Sequence, residues 1–330
     1  MKETRKTVAL IYGGRGFESE VSLRGERNIR PIIEKNYDCL PIFIDKRGRW
    51  LNEGGELFPA NIGGRGGFFC PEKGELLTVD CAFPLLHGDF GEDGIVQGAL
   101  ESASIPYVGC DVSAGAVCRD KAFLKAAAKE LNIPTLPYLL SLRGDKGVAD
   151  RAERQIGYPM FIKPARLGSS VGARPARDRR ELLGALDNAF SLCDRVIIEP
   201  LLNPKRELEC GFLGVFGKEI YTDAGEIICR GFYDYDSKYE GDGEVKILPA
   251  AELNNSINRK IKDYAKRLVR FLGIRSISRI DFFLSGDRIY FNEINTMPGF
   301  TGGSLYARML SARGISEDRL IRLLIEDALG

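Results

Sequence analysis

The chain has 330 residues, 44% of them hydrophobic and 28% charged, which suits a globular protein of two or three domains with buried cores. Its 47 basic side chains almost cancel 46 acidic ones, so the net charge is +1 and the basic excess of a nucleic-acid-binding chain is excluded. No stretch reaches the ~18 apolar residues of a membrane-spanning helix.

Thr7–Tyr12 is an apolar run closed by Gly13-Gly14 and predicts a buried parallel strand, not a secretory leader. A helix is expected over residues 22–34, a second strand over 39–44, and a surface insertion or hairpin in the Gly-, Pro- and charge-rich residues 46–78. Val79–Leu86 predicts a third strand, followed by a loop at His87–Gly94 and a helix over 95–104. Strand alternating with helix indicates a βαβ first domain with a largely parallel sheet. Further on, helices are expected at 120–131 and 178–192 and strands at 159–164 and 195–200, a small α+β unit. Antiparallel strands follow at 207–215 and 219–224, then a polar loop at about 230–245. A helix at 254–272, a strand pair at 278–284 and 288–292, and a last helix at 317–329 complete the pattern. The fold class is therefore α/β combined with α+β, divided at 1–109, 110–199 and 200–330. The eight cysteines form no C-x-x-C pair and sit mostly in apolar runs, which reads as reduced, buried thiols of a cytoplasmic protein.

The chemistry lies in the loops. Lys163 on a predicted strand is followed by Gly168-Ser169-Ser170-Val-Gly172, where small residues let backbone amides close around phosphate oxygens. Alone, such a loop is as often a surface turn; it is not a Walker A sequence. Gly13-Gly14-Arg-Gly16 does not complete the dinucleotide fingerprint, so a Rossmann oxidoreductase is poorly supported. Asp281 on one strand, with Glu293 and Asn295 on the next, offers hard oxygen ligands on one face, since residues i and i+2 point the same way. A Mg²⁺ site and a solvated strand end are the two readings. The Gly-rich turn 295–305 could present backbone amides and Ser304 to an anion, and Lys238 with Tyr239 in the loop at 230–245 suits a lid over phosphate. Glu18 and the single histidine, His87, both fall at predicted strand ends, where open α/β sheets bind ligands.

Taken in order, residues 13–22, 87–94, 163–172, 233–239, 279–281 and 292–299 resemble the D-alanine–D-alanine ligases, and the resemblance runs from Thr7 to Leu329. It implies a three-domain ATP-grasp fold, ATP as co-substrate and two Mg²⁺ (or Mn²⁺). It also implies a carboxylate–amine ligation through an acylphosphate, and commonly a homodimer. By motif position, Glu18 would hold the first D-alanine's ammonium, linked with Ser169 and Tyr239. Lys121, Lys163, Ser170 and Lys238 would meet the phosphates; Glu199 and the Leu202 amide, adenine; Glu207, the ribose. Asp281, Glu293 and Asn295 would hold metal. Arg279 and the Gly299 amide would stabilise the oxyanion, His87 would lie near the first substrate, and Ser304 and Leu305 would face the second. Leu305 favours D-alanine there. Ser19 and Gly303 depart from the family pattern and would enlarge the second-substrate pocket, which keeps D-serine open. Other readings are a different ATP-grasp ligase and a non-catalytic nucleotide sensor.

Overall fold

A computed structural model describes residues 5–228, 246–301 and 303–330. Three sheets organise them.

In the first sheet Thr7–Gly13 lies between Asp38–Ile44 and Cys81–Pro84, parallel to both. Val8, Ala9, Leu10 and Ile11 are fully buried, because helices cover both faces of such a sheet and leave no wet side for alternation. The expected insertion at 46–78 is part of this sheet. Trp50–Asn52, Gly55–Ile62, Arg65–Cys70 and Glu75–Thr78 extend it as an antiparallel meander. Turn glycines such as Gly63 and Gly64, both at positive φ, supply the reversals. Helix Ser19–Asn36 packs on the first strand, and helix Glu317–Leu329 lies beside it.

The second sheet is antiparallel, in the order Arg174–Ala176, Met160–Pro164, Arg195–Pro200, Leu139–Leu142. Helices Val148–Gln155 and Arg179–Leu192 back it, the latter capped by the Asp178 side chain, which accepts from the Glu181 amide.

Among the described residues the third sheet runs Lys246–Leu248, Gly225–Ile228, Arg206–Val215, Ser276–Ser285, Arg288–Asn295. Lys218–Tyr221 also pairs with Arg206–Val215. Helix Asn255–Phe271 covers one face with Ile261, Tyr264, Ala265, Leu268 and Val269. Helices Val112–Arg119 and Lys121–Glu130 bury Ala114, Cys118, Leu124 and Ala128 in the same core, so this segment belongs energetically to the third sheet. The cysteines that are described are unpaired thiols, and burial pushes those of Cys81, Cys110 and Cys210 up to about 12. Among the described residues no helix is long and apolar enough to cross a membrane.

Candidate active site

One cleft of about 960 Å³ opens between the three sheets, and almost every described candidate from the sequence lines it. Glu18 enters from the loop after the first strand. That loop turns at Gly13, whose φ of +94° only glycine adopts easily and whose missing side chain leaves room for the Phe43 ring. Across the cleft, Ser169 and Ser170 both hold left-handed backbone, at φ +49° and +59°. Two adjacent non-glycine residues in that region mark local strain of the kind concentrated at functional loops. The turn brings the Ser169 hydroxyl to donate a short hydrogen bond to Glu18 Oε1, tying the loop after the first strand to the loop of the second sheet.

Lys121, Lys163 and Arg279 stand along the cleft, each with a carboxylate. Lys121, the first residue of its helix, pairs with Glu293 Oε2 at 3.1 Å and donates to the Leu167 carbonyl at 2.7 Å. Lys163 meets Glu199 Oε2 at 2.8 Å and Asn292 Oδ1 at 3.2 Å. Arg279 makes a bidentate bond to Asp281, at 2.8 and 2.7 Å, and reaches Glu209 at 3.3 Å. Burial opposes the Arg279 charge, but Asp281 and Glu209 outweigh it and hold its pKa well above the ordinary value. Burial also opposes ionisation of Glu199. Lys163 and the fully buried Lys125, which holds the other Glu199 oxygen, overcome it and keep that carboxyl below its usual range.

The strand register pairs Asp281 with Glu293 and Arg279 with Asn295, which puts all four on one face of the hairpin. A bulge follows Asp281. Among the described residues no three His, Cys, Asp or Glu side chains converge as a metal site. Asp281 and Glu293 are two carboxylates and Asn295 an amide, a hard-oxygen set that suits Mg²⁺ with other oxygens completing the shell.

At one end, His87 is buried, with Nε2 making no hydrogen bond, and lines the cleft. Burial drives its pKa down and leaves it neutral, against the opposing effects of Glu18 and a bond to the Met297 backbone. At the other end, Gly299 and Gly303 face open space, with nothing within 4 Å of where a side chain would stand. Ser304 stands at the N-cap position of helix Leu305–Ser311, where the sequence predicts no element beyond the turn at 295–305. Leu305 is buried there against Gly225. Leu202 and Phe161 line an apolar part of the wall, and Glu207 pairs with Lys205 at 2.6 Å.

Ser19 is buried, its hydroxyl accepts from Lys46, and it is not among the residues lining the cleft, whereas Gly303 is. Lys238 and Tyr239 lie outside the described residues. The sequence reading assigned no role to Glu92, Arg119, Lys125, Arg206 and Glu209. Glu209 was detectable: it stands two residues from Glu207, the spacing that was used for Glu293 and Asn295.

Residues 7–110 match the family description "D-ala D-ala ligase N-terminus" and residues 127–326 match "D-ala D-ala ligase C-terminus". The chain belongs to the D-alanine–D-alanine ligase family. A D-alanine–D-alanine ligase of Solibacter usitatus is 39% identical, over 98% of this chain and 95% of the relative. One of Caldicellulosiruptor bescii is 36% identical over 99% and 96%. Among solved structures, the VanG D-Ala:D-Ser ligase of Enterococcus faecalis superposes with a TM-score of 0.88 at 31% identity, covering 98% of this chain and all of that one. The D-alanyl-alanine synthetase A of Vibrio cholerae also gives 0.88, at 30% identity and 99% of both chains. The ATP-grasp fold of this family accounts for the two sheets that flank the cleft.

Proposed function

We infer that the protein joins two D-alanines into D-alanyl-D-alanine while ATP becomes ADP and phosphate, a cytoplasmic step of peptidoglycan precursor synthesis. The observation that supports this most directly is one cleft running continuously from Glu18 and Ser169 to Arg279, Asp281 and Glu293. In this reading an amino-acid anchor stands beside a phosphate and metal site.

In this reading Glu18 binds the first D-alanine's ammonium. Ser169 orients that carboxylate, and Tyr239 joins them. His87, neutral and with a free nitrogen, steers the substrate carboxylate toward Arg279. Lys121, Lys163, Lys238 and Ser170 hold the triphosphate. The Leu202 amide and Glu199 meet adenine, and Glu207 takes the ribose in exchange for Lys205. Asp281, Glu293 and Asn295 would hold two Mg²⁺ (or Mn²⁺), which neutralise phosphate charge. Phosphoryl transfer needs this positioning and charge more than a covalent nucleophile. The first carboxylate attacks the γ-phosphorus and ADP leaves. The second D-alanine's amine then adds to the acylphosphate carbon and loses a proton. Arg279 and the Gly299 amide meet the oxyanion, and phosphate departs. Ser304 and Leu305 orient the second substrate.

Three domains, at 1–109, 110–199 and 200–330, each around one sheet, and a homodimeric state belong to the same proposal. A second reading, D-serine as second substrate, is favoured by the open space at Gly303. Mass analysis of products from ATP, Mg²⁺ and D-alanine, with D-serine or D-lactate competing, separates the two. D-alanyl-D-alanine as main product is expected. Turnover supported by L-alanine, or no dipeptide at all, overturns the proposal.

A further inference from the structure

Arg119 closes the helix before Lys121, and its side chain, only 12% exposed, reaches into the first-substrate end of the cleft. Its guanidinium holds Asp89 Oδ1 through Nη2 at 2.7 Å and through Nε at 3.2 Å. A side chain at Gly168 would stand 3.2 Å from Arg119 Nη1 and 3.1 Å from Glu18 Oε2, so the glycine marks where guanidinium and carboxylate converge. Gly88 is bounded by the same two groups. Glu92 lies behind, accepting from the Gly88 amide at 2.8 Å and the Met297 amide at 3.1 Å. Arg119 is thus the cation set among Glu18, Asp89 and Glu92.

The arrangement has two consequences. The Arg119 fork holds the loop carrying Gly88 and Asp89 and lies against Gly168, next to Ser169. It also balances charge: an unpaired Asp89 carboxylate or an unpaired guanidinium beside Glu18 would each disturb a site for one ammonium, whereas Glu92 is buried and pushed toward its neutral form. With Asp89 cancelled by Arg119, Glu18 keeps its own negative charge for the ligand.

We propose that Arg119 is a positioning residue of the ammonium site, paired with Asp89 so that Glu18 and Ser169 present one net negative charge to the α-ammonium of the first amino-acid substrate. This rests on the D-alanine ligase reading of that site.

The test is a charge-compensation cycle in the full-length enzyme: Arg119→Met, Asp89→Asn and the double variant. ATP-dependent phosphate release is followed against D-alanine, and the KM for ATP serves as control. Arg119→Met is expected to raise the KM for D-alanine about tenfold, because an uncancelled Asp89 pulls the ammonium away from Glu18. Asp89→Asn is expected to raise it by a similar factor, because an uncancelled Arg119 repels it. The double variant is expected to return to within about threefold of the parent, with the KM for ATP nearly constant throughout. A merely structural pair would move the KM for ATP together with that for D-alanine in the single variants. The proposal is overturned if either single variant leaves the KM for D-alanine unchanged, or if the double variant is as impaired as the singles. Should Arg119→Met not fold, Asp89→Asn alone decides, since an unchanged KM there is equally fatal. Parent enzyme that releases no phosphate with D-alanine would instead sink the ligase reading.

Discussion

Glu92 and Lys125 show how burial changes the meaning of a charge. Burial, reinforced by Glu18, pushes the Glu92 carboxyl up to about 7, although Arg119 and two backbone amides oppose the shift. An unfolded glutamate titrates near ~4.3. The folded protein therefore holds this proton more tightly than the unfolded chain. The resulting stabilisation is complete below about 4 and is lost as pH rises through about 7. In Glu92→Gln that dependence disappears. Urea melts from pH 5 to 8 should show the variant gaining on the parent as pH rises; a constant offset would refute the assignment. Lys125 presents the opposite case: burial lowers its pKa, and Glu199, its ion-pair partner, opposes the shift. Lys125→Met leaves Glu199 with Lys163 alone, so a loss of about 3 kcal/mol is expected in the same melts. A variant as stable as the parent would mean that Lys163 suffices.

At the scale of elements, the parallel strands were legible because Val8–Ile11 and Ala82–Leu85 are continuous apolar runs, and helix 255–271 because its buried residues recur at helical spacing. The meander at 50–78 was not. Its strands are short, two-sided and glycine-punctuated, and a sheet edge needs no strong period. Leu139–Leu142 and Arg174–Ala176 were missed for the same reason: three or four residues carry no periodicity. Nor does local sequence say that helix 317–329 docks beside helix 19–36, since that contact joins the two ends of the chain. Leu320, Ile321, Leu324 and Ile325 are buried there, and Leu324→Ala should cost about 2–5 kcal/mol by thermal or urea unfolding. The serine-rich loop was legible in composition but not in conformation. Gly172 sits at φ +72° with Leu192 Cδ1 2.6 Å from where a side chain would be, so Gly172→Ala should disturb the loop and raise the KM for ATP severalfold. An unaffected KM would place the loop away from the nucleotide.

For the molecule as a whole, the cleft is a set of internal ion pairs that must be exchanged for ligands. Asp281 is engaged by Arg279, and Glu293 by Lys121. A divalent cation arriving alone would have to displace those partners, with water filling the rest of its shell. ATP changes both conditions, because phosphate oxygens complete the coordination and draw the cations toward themselves. Metal binding and nucleotide binding should therefore be strongly cooperative, and reciprocally so. Isothermal titration of the protein with Mg²⁺ alone should give an affinity at least tenfold weaker than titration in the presence of a non-hydrolysable ATP analogue, beyond the metal bound by the analogue itself. Glu293→Gln removes one of the proposed metal ligands and the carboxylate partner of Lys121. It should abolish most of that cooperativity and lower turnover by at least a hundredfold while weakening nucleotide binding less. Equal Mg²⁺ affinity with and without the analogue would mean that these carboxylates form a preassembled metal site, and the exchange of Arg279 and Lys121 for metal would no longer explain how the cleft is switched on.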